Sequence, residues 1–272
     1  MGVKTSLTLE QANLLFKEYF FETIEPTKDG ISDTTYLAFN FDGAYVIKYY
    51  ENATDEEIDA EVELLKSLHK HGLKVNFVLA ENKDNKRWKL FSYIAGKSAL
   101  APSFVEIRQI AIFLAKMHIF SKTDRSVKNV FDAKKIKCEL QILKRKNIKV
   151  YHQLKELKQM SFSKKIGIIH GDLFIDNAKF VSRKLSGVYD FIEAGRGSFI
   201  QDAGITALSW TSGSLAKRAY FLKCYNSASK VKLSKKELNS GMRFGALYYA
   251  MSRFNGKKLE YRELLKKYRD LV

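Results

Sequence analysis

Residues 166–180 read IGIIHGDLFIDNAKF, an apolar run that breaks abruptly into His170, Asp172, Asp176 and Asn177. After a short turn, LSGVYDF (185–191) closes a second apolar run on Asp190 and Phe191. An Asp followed five residues on by Asn, then by a second Asp ending an apolar segment, supplies one carboxylate for a reacting hydroxyl and two oxygen ligands for a hard cation. A solvated loop capping a helix explains any one of these residues, but not the set.

Outward from this stretch the chain changes character. Thr8 with Gln11 forms a capping-box pattern, and Leu14, Leu15, Tyr19 and Phe20 continue it at helical spacing, which predicts a helix over 9–22. The run DGISDTTYLAFNFDGAYVIKYYE (29–51) is rich in Tyr, Phe, Val and Ile around Asp42-Gly43, which predicts a β-hairpin with strands near 35–40 and 44–50. TDEEIDAEVELLKSLHKHGL (54–73) carries early acidic residues, an apolar stripe of Ile58, Val62, Leu65 and Leu68, and Gly72 as a stop: a helix. VNFVLA (75–80) and RWKLFSYIAG (87–96) read as further strands. Beyond Gly96 the periodicity turns helical, at FVEIRQIAIFLAKMHIF (104–120) and over 134–160, 215–228 and 235–271. The expected organisation is a strand-rich domain over 1–94 and a helical domain over 95–272, joined near 92–97 and leaving a cleft where ligands commonly bind.

At 272 residues with 46% hydrophobic content, the chain can bury one large core or two smaller ones. Two Pro and 15 Gly exclude collagen-like and Pro-rich disordered classes, and no period of 20 to 50 residues is visible. The two cysteines, Cys138 and Cys224, are far apart without C-x-x-C spacing, and the start MGVKTSLTLEQ has no apolar leader; a cytoplasmic location is expected. No uncharged run approaches the ~20 apolar residues of a bilayer span, so no membrane partner is expected. The longest, Ala203 to Ala216, is broken by Ser, Thr and Gly. The net charge is +17, and residues 134–165 hold eleven Lys and Arg against two acidic residues, Glu139 and Glu156. Those cations are not interleaved with stacking aromatics, so a solvated helix face is expected there rather than a specific nucleic-acid site.

HGDLFIDN (170–177) with GVYDF (187–191) resembles the catalytic and metal-binding loops of the aminoglycoside phosphotransferase and choline kinase superfamily, distant relatives of the protein kinases. The resemblance implies an α+β, bilobal, protein-kinase-like fold, with a small antiparallel-sheet N-terminal lobe and a larger, mainly helical C-terminal lobe, working with ATP and Mg²⁺. It implies Asp172 as the base or orienting carboxylate, and Asn177 and Asp190 as holders of Mg²⁺. Lys48, at the end of AYVIK, would contact the α and β phosphates, with Glu61 in the following helix holding it and Glu57 and Glu63 as rival partners. The turn GISDTTY (30–36) would cover phosphates through Ser32, Thr34 and backbone N–H groups, and LFSYIAG (90–96) would meet the adenine edge near Ser92 and Ile94. His170 is expected to fix the loop through backbone hydrogen bonds, and exposed Asp176 to have no carried-over role.

GISDTTY, IAIFLAKMH (110–118), the 166–191 block and QDAGITALSW (201–210) together look most like the superfamily's homoserine kinases. That likeness implies ATP-dependent phosphorylation of L-homoserine to O-phospho-L-homoserine, a step of threonine biosynthesis. FIEAGRGSF (191–199) after Asp190 departs from that pattern, and Asp33 stands where Asn is common. Glu193 and Arg196 are candidates for the acceptor and the cation of a zwitterionic substrate, with a solvated loop as the equal alternative; Trp210 is expected in the core. The other readings are phosphorylation of an aminoglycoside, choline or a sugar, or a non-catalytic nucleotide- or nucleic-acid-binding protein. A +17 chain disfavours a polycationic substrate.

Overall fold

The structure is a computed structural model that describes residues 3–27, 33–82, 84–120 and 128–271. The chain divides into two compact units, residues 1–96 with 186–192, and residues 97–185 with 193–272.

The first unit contains α1 (Leu9–Leu15), β1 (Thr23–Pro26), β2 (Thr34–Asn40), β3 (Gly43–Tyr49), α2 (Asp55–Lys70), β4 (Val78–Glu81) and β5 (Trp88–Ser92). Its five strands form one antiparallel sheet in the order β1-β2-β3-β5-β4. The strands' period of two separates the chemistry. Tyr36 and Ile47 are register partners and are buried in one cluster with Ala38, Trp88, Leu90, Ala12 and Phe16, whereas Lys48 falls on the opposite face with Thr35 and Lys89. In α2, Ile58, Val62, Leu65 and Leu68 are buried as their spacing predicts, and the same stripe carries Glu61, three residues after Ile58, into the interior.

Several boundaries differ from the sequence expectation. The first helix stops at Leu15 rather than running to 22, because the Asn13 carboxamide bonds both the N–H and the C=O of Phe21, and Phe20 takes φ 45 to reverse the chain. The hairpin loop is Phe41-Asp42, not Asp42-Gly43: Gly43 begins β3 with φ 147, and the Asn40 side chain accepts from the N–H groups of Asp42 and Gly43. Strand pairing of 75–80 begins only at Val78, because Lys74 and Asn76 bond the backbone of Val188 instead. Those bonds help to bring residues 186–192 into this unit.

The second unit holds α3 (Phe104–Phe120), α4 (Ala133–Lys146), α5 (Ile148–Leu154), β6 (Ile166–Ile169), β7 (Ala178–Val181), the start of β8 (Lys184–Val188), β9 (Gly195–Ser198), α6 (Phe199–Trp210), α7 (Leu215–Ala228), α8 (Lys235–Asn255) and α9 (Tyr261–Arg269). The helix expected over 134–160 is broken at Asn147, whose extended backbone ends α4 and whose side chain caps α5 through Val150 N. The one expected over 235–271 is broken after Asn255, with Gly256 as its cap. β6 pairs antiparallel with β9. Helices α6 and α8 approach backbone to backbone: a Cβ on Gly204 would stand 2.1 Å from the carbonyl carbon of Gly241. Glycine at both positions lets the two helices touch. No helix among the described residues is long and apolar enough to cross a membrane.

Candidate active site

In the first unit, Lys48 lies among three carboxylates and an aromatic ring. Its Nζ is 3.1 Å from Asp33, 3.7 Å from Asp190 and 3.9 Å from Glu61, and 4.4 Å from the centroid of Tyr50. Burial by itself would lower the Lys48 pKa, but Glu61, Asp190 and Asp33 outweigh it and push it up, so the side chain is a fixed cation. Glu61 is the hub: one oxygen accepts the Tyr50 hydroxyl at 2.6 Å, and the other accepts Phe191 N–H at 3.0 Å. Burial pushes the Glu61 carboxyl up, against the opposing pull of Lys48. The rival carboxylates are engaged elsewhere, Glu57 in the capping box of α2 and Glu63 with Lys66.

Asp190 and Phe191 are neighbours with opposite surroundings. Phe191 is buried, while the Asp190 side chain is 43% exposed on a backbone with φ 67, a conformation that non-glycine residues adopt only at a cost. The strained backbone leaves that carboxylate half open.

The sequence-predicted phosphate turn divides. Ser32 lies outside the described residues. Thr34 is fully buried; its hydroxyl accepts from Lys4 N and Thr5 N and donates to Glu51 at 2.6 Å. This network ties residues 4 and 5 to the sheet and leaves the hydroxyl closed to a phosphate, a correction to its expected contact. Ser92 ends β5 and its hydroxyl accepts from Phe77 N. The side chain of Ile94 covers Gly187, where a Cβ would meet it at 2.6 Å, and the backbone N–H and C=O of Ile94 take no hydrogen bond among the described residues.

In the second unit the loop after β6 is held from α6. Asp202, fully buried, accepts His170 N–H and Gly171 N–H on its two oxygens, each at 2.9 Å, and also His118 Nε2 at 2.9 Å. His118 in turn meets the Tyr225 hydroxyl at 2.8 Å and stacks on Phe199. Burial would raise the Asp202 carboxyl, but the His118 hydrogen bond and charge, with the loop amide, hold it below the usual carboxylate range. Two turns on, Ser209 accepts Ile175 N–H and the Trp210 indole donates to Leu173 C=O.

Within that loop, His170 Nδ1 lies 3.2 Å from Asp172 N, an acceptor role that fits the fixing function expected of it. The Asn177 carboxamide nitrogen donates to the backbone C=O of Asp172 at 2.7 Å and to its carboxylate at 3.3 Å. From α8 the Tyr249 hydroxyl donates to Gly171 C=O at 2.5 Å, and its ring packs edge-on against Phe174. Burial and the neighbouring Asp172 charge push the Tyr249 phenol well up, so it remains a donor. Asp176 is exposed.

Magnesium is the cation to test against these residues. Its hard-oxygen preference is met by one or two protein ligands, the rest being water and phosphate oxygens. Asp190 offers a half-open carboxylate, and because the Asn177 nitrogen is turned to Asp172, its oxygen is left for a cation; both donors fit. No group of three or more His, Cys, Asp or Glu in metal-holding geometry occurs among the described residues.

The sequence reading did not single out Tyr50, Asp202, His118 or Tyr249 as functional, and it noted Asp33 only as a departure. His118 and Asp202 lay within quoted motifs, but nothing in linear order couples residues 84 positions apart. Trp210 is in the core as expected.

The fold has many counterparts among solved structures. Spectinomycin phosphotransferase, solved with ADP and spectinomycin, matches with a TM-score of 0.70 at 13% identity over 98% of this chain and 95% of that one. Choline kinase from Cryptosporidium parvum matches with a TM-score of 0.68 at 12% identity, over 92% and 87%. This is the kinase-like α+β fold. By sequence, a homoserine kinase of Methylobacillus flagellatus is 24% identical over 94% of this chain and 87% of its own length. One of Polaromonas naphthalenivorans is 24% identical over 70% of this chain, and the match spans 66% of that relative. The phosphotransferase enzyme family model matches residues 23–223, most of the chain, including Lys48, Glu61, Asp172, Asn177, Asp190 and Asp202, and the chain therefore belongs to that family.

Proposed function

We propose that this phosphotransferase moves the γ-phosphoryl group of Mg-ATP to the hydroxyl of L-homoserine. The observation that carries the reaction is the loop 170–177, held by Asp202, Ser209, Trp210 and Tyr249, which presents Asp172 beside the Asn177 carboxamide. In this reading the substrate oxygen attacks the γ phosphorus, the bond from that phosphorus to the β-γ bridging oxygen breaks, and Asp172 orients the hydroxyl and accepts its proton. Lys48, kept cationic by Glu61, Asp33 and Asp190, binds the α and β phosphates. The open backbone groups of Ile94 suit the adenine edge, with Ser92 beside it. Asn177 and Asp190 would each offer an oxygen to Mg²⁺, which would neutralise charge on the phosphates.

Two observations support this choice of substrate. The relatives just described are homoserine kinases, one matching over 94% of this chain. The +17 charge also disfavours polycations such as aminoglycosides. The test is an ADP-release assay with mass detection of the product, comparing L-homoserine, choline, kanamycin and spectinomycin. L-homoserine should give the highest kcat/KM. Efficient phosphorylation of choline or kanamycin without turnover of homoserine would overturn the substrate and leave the reaction standing; no turnover of any acceptor would overturn both.

A further inference from the structure

A cavity of about 430 Å³ in the second unit is lined by residues of α4, the 157–162 segment, β9 and the first turn of α6. The β6–β9 register pairs Ile168 with Arg196 and Ile166 with Ser198, and cross-strand partners share a face, so Arg196 and Ser198 project on the same side of the ribbon. No residue of the 170–177 loop is among its lining. The sequence had offered Arg196 as a cation for the phosphoryl acceptor; the fold turns it to this cavity instead.

The cavity's charge is one-sided. Arg196 is half-buried, Lys137 and Lys158 at the rim are exposed, and none of the three has a carboxylate partner among the described residues. The single acidic residue of the lining, Asp132, has its carboxylate engaged as the cap of α4, accepting Lys135 N at 2.8 Å. Gln201, 7% exposed, has its side-chain oxygen held by Ser198 N, while its NH₂ finds no acceptor among the described residues. A guanidinium with an amide donor calls for a ligand bearing paired acceptor oxygens. Phe162, Phe244 and Leu157 supply apolar wall, and the volume lies in the range of small-molecule sites.

We propose that this cavity is a second ligand site, distinct from the phosphoryl-transfer centre, which binds a small organic carboxylate with an apolar body. Arg196 and Gln201 hold the carboxylate, Lys137 and Lys158 draw it in, and the aromatic wall covers the rest.

Calorimetry on the full chain tests this with sodium benzoate, neutral benzamide and inorganic phosphate as probes. Benzoate should bind saturably, and benzamide at least ~10-fold more weakly. Arg196→Met should weaken benzoate at least ~10-fold, and Lys158→Glu, an exposed change compatible with folding, should weaken it in the same direction. Asp172→Asn should leave it unchanged. The proposal is overturned by absence of saturable benzoate binding, by equal affinity for benzamide, or by affinity unaltered in both cavity variants. Phosphate binding without benzoate binding overturns the carboxylate assignment, and loss of benzoate binding in Asp172→Asn overturns the separateness of the site.

Discussion

The carboxylate of Glu61 accepts the backbone N–H of Phe191 at 3.0 Å while its other oxygen faces Lys48. One side chain of α2 thus fixes both the phosphate-binding cation and the segment that carries Asp190. Glu61→Gln preserves the shape and one of the two accepting oxygens but removes the charge, leaving Lys48 to Asp33 and Asp190. The KM for ATP should rise ~10-fold or more, and stability should fall by about 1–3 kcal/mol because a buried donor loses its acceptor. An unchanged KM would show that Asp33 and Asp190 suffice to hold Lys48.

Asp172 and Asp190 should separate cleanly. Asp172→Asn removes proton acceptance and orientation but no phosphate contact, so kcat should fall at least ~10²-fold while Mg-ATP affinity by calorimetry stays close to wild type. Asp190→Ala should abolish Mg²⁺-dependent nucleotide binding. Wild-type turnover in the first, or intact Mg-ATP affinity in the second, contradicts the assigned roles.

Asp202 is a stability element with a pH signature. Asparagine offers one acceptor oxygen where the two loop amides use two, so Asp202→Asn should cost roughly 3 kcal/mol in urea unfolding. The folded carboxyl lies below its ordinary 3.8, so the stability it adds is complete above the unfolded pKa and lost as pH falls through the folded one. Wild type should therefore lose stability below pH ~4 more steeply than Asp202→Asn. Parallel acid-unfolding profiles would rule the carboxylate out as the source.

The contact between α6 and α8 is tested by one methyl group. Gly204→Ala places a Cβ against the Gly241 backbone and should destabilise by ~1–3 kcal/mol or more, as overpacking does. Gly256→Ala, whose Cβ would find its nearest neighbour at 3.5 Å, should change stability by less than ~0.5 kcal/mol. Equal effects in urea titrations would mean that the helices can part without cost.

Much of this protein is local physics and is legible in linear order. The capping boxes at Thr8 and Thr54, the stripe of α2, the helix over 104–120 and the alternation of β2 and β3 follow from spacings of a few residues. So does the inward turn of Glu61, since position 61 shares the face of Ile58 and Leu65. Of the elements misjudged, the end of α1 and the break at Asn147 depend on which side chain reaches a free backbone group, and the break after Asn255 on the Gly256 N–H turning back to the carbonyls of Ser252 and Phe254. Periodicity does not report that choice.

The chain order names Asp172, Asn177 and Asp190, but what holds them comes from far away. Asp202 reaches back 32 residues to His170, Tyr249 reaches 78 to Gly171, and Glu61 reaches 130 to Phe191. Thr34 and Arg196 show the converse: residue types suited to phosphate or carboxylate were visible in the sequence, but folding buried the first in a backbone network and set the second in the lining of a cavity to which the 170–177 loop contributes no residue. Local spacing sets an element's type and its buried face because those depend on neighbours three or four residues away. A polar group's partner is decided by tertiary packing, because a buried donor or acceptor must be satisfied by whatever group the fold brings within about 3 Å.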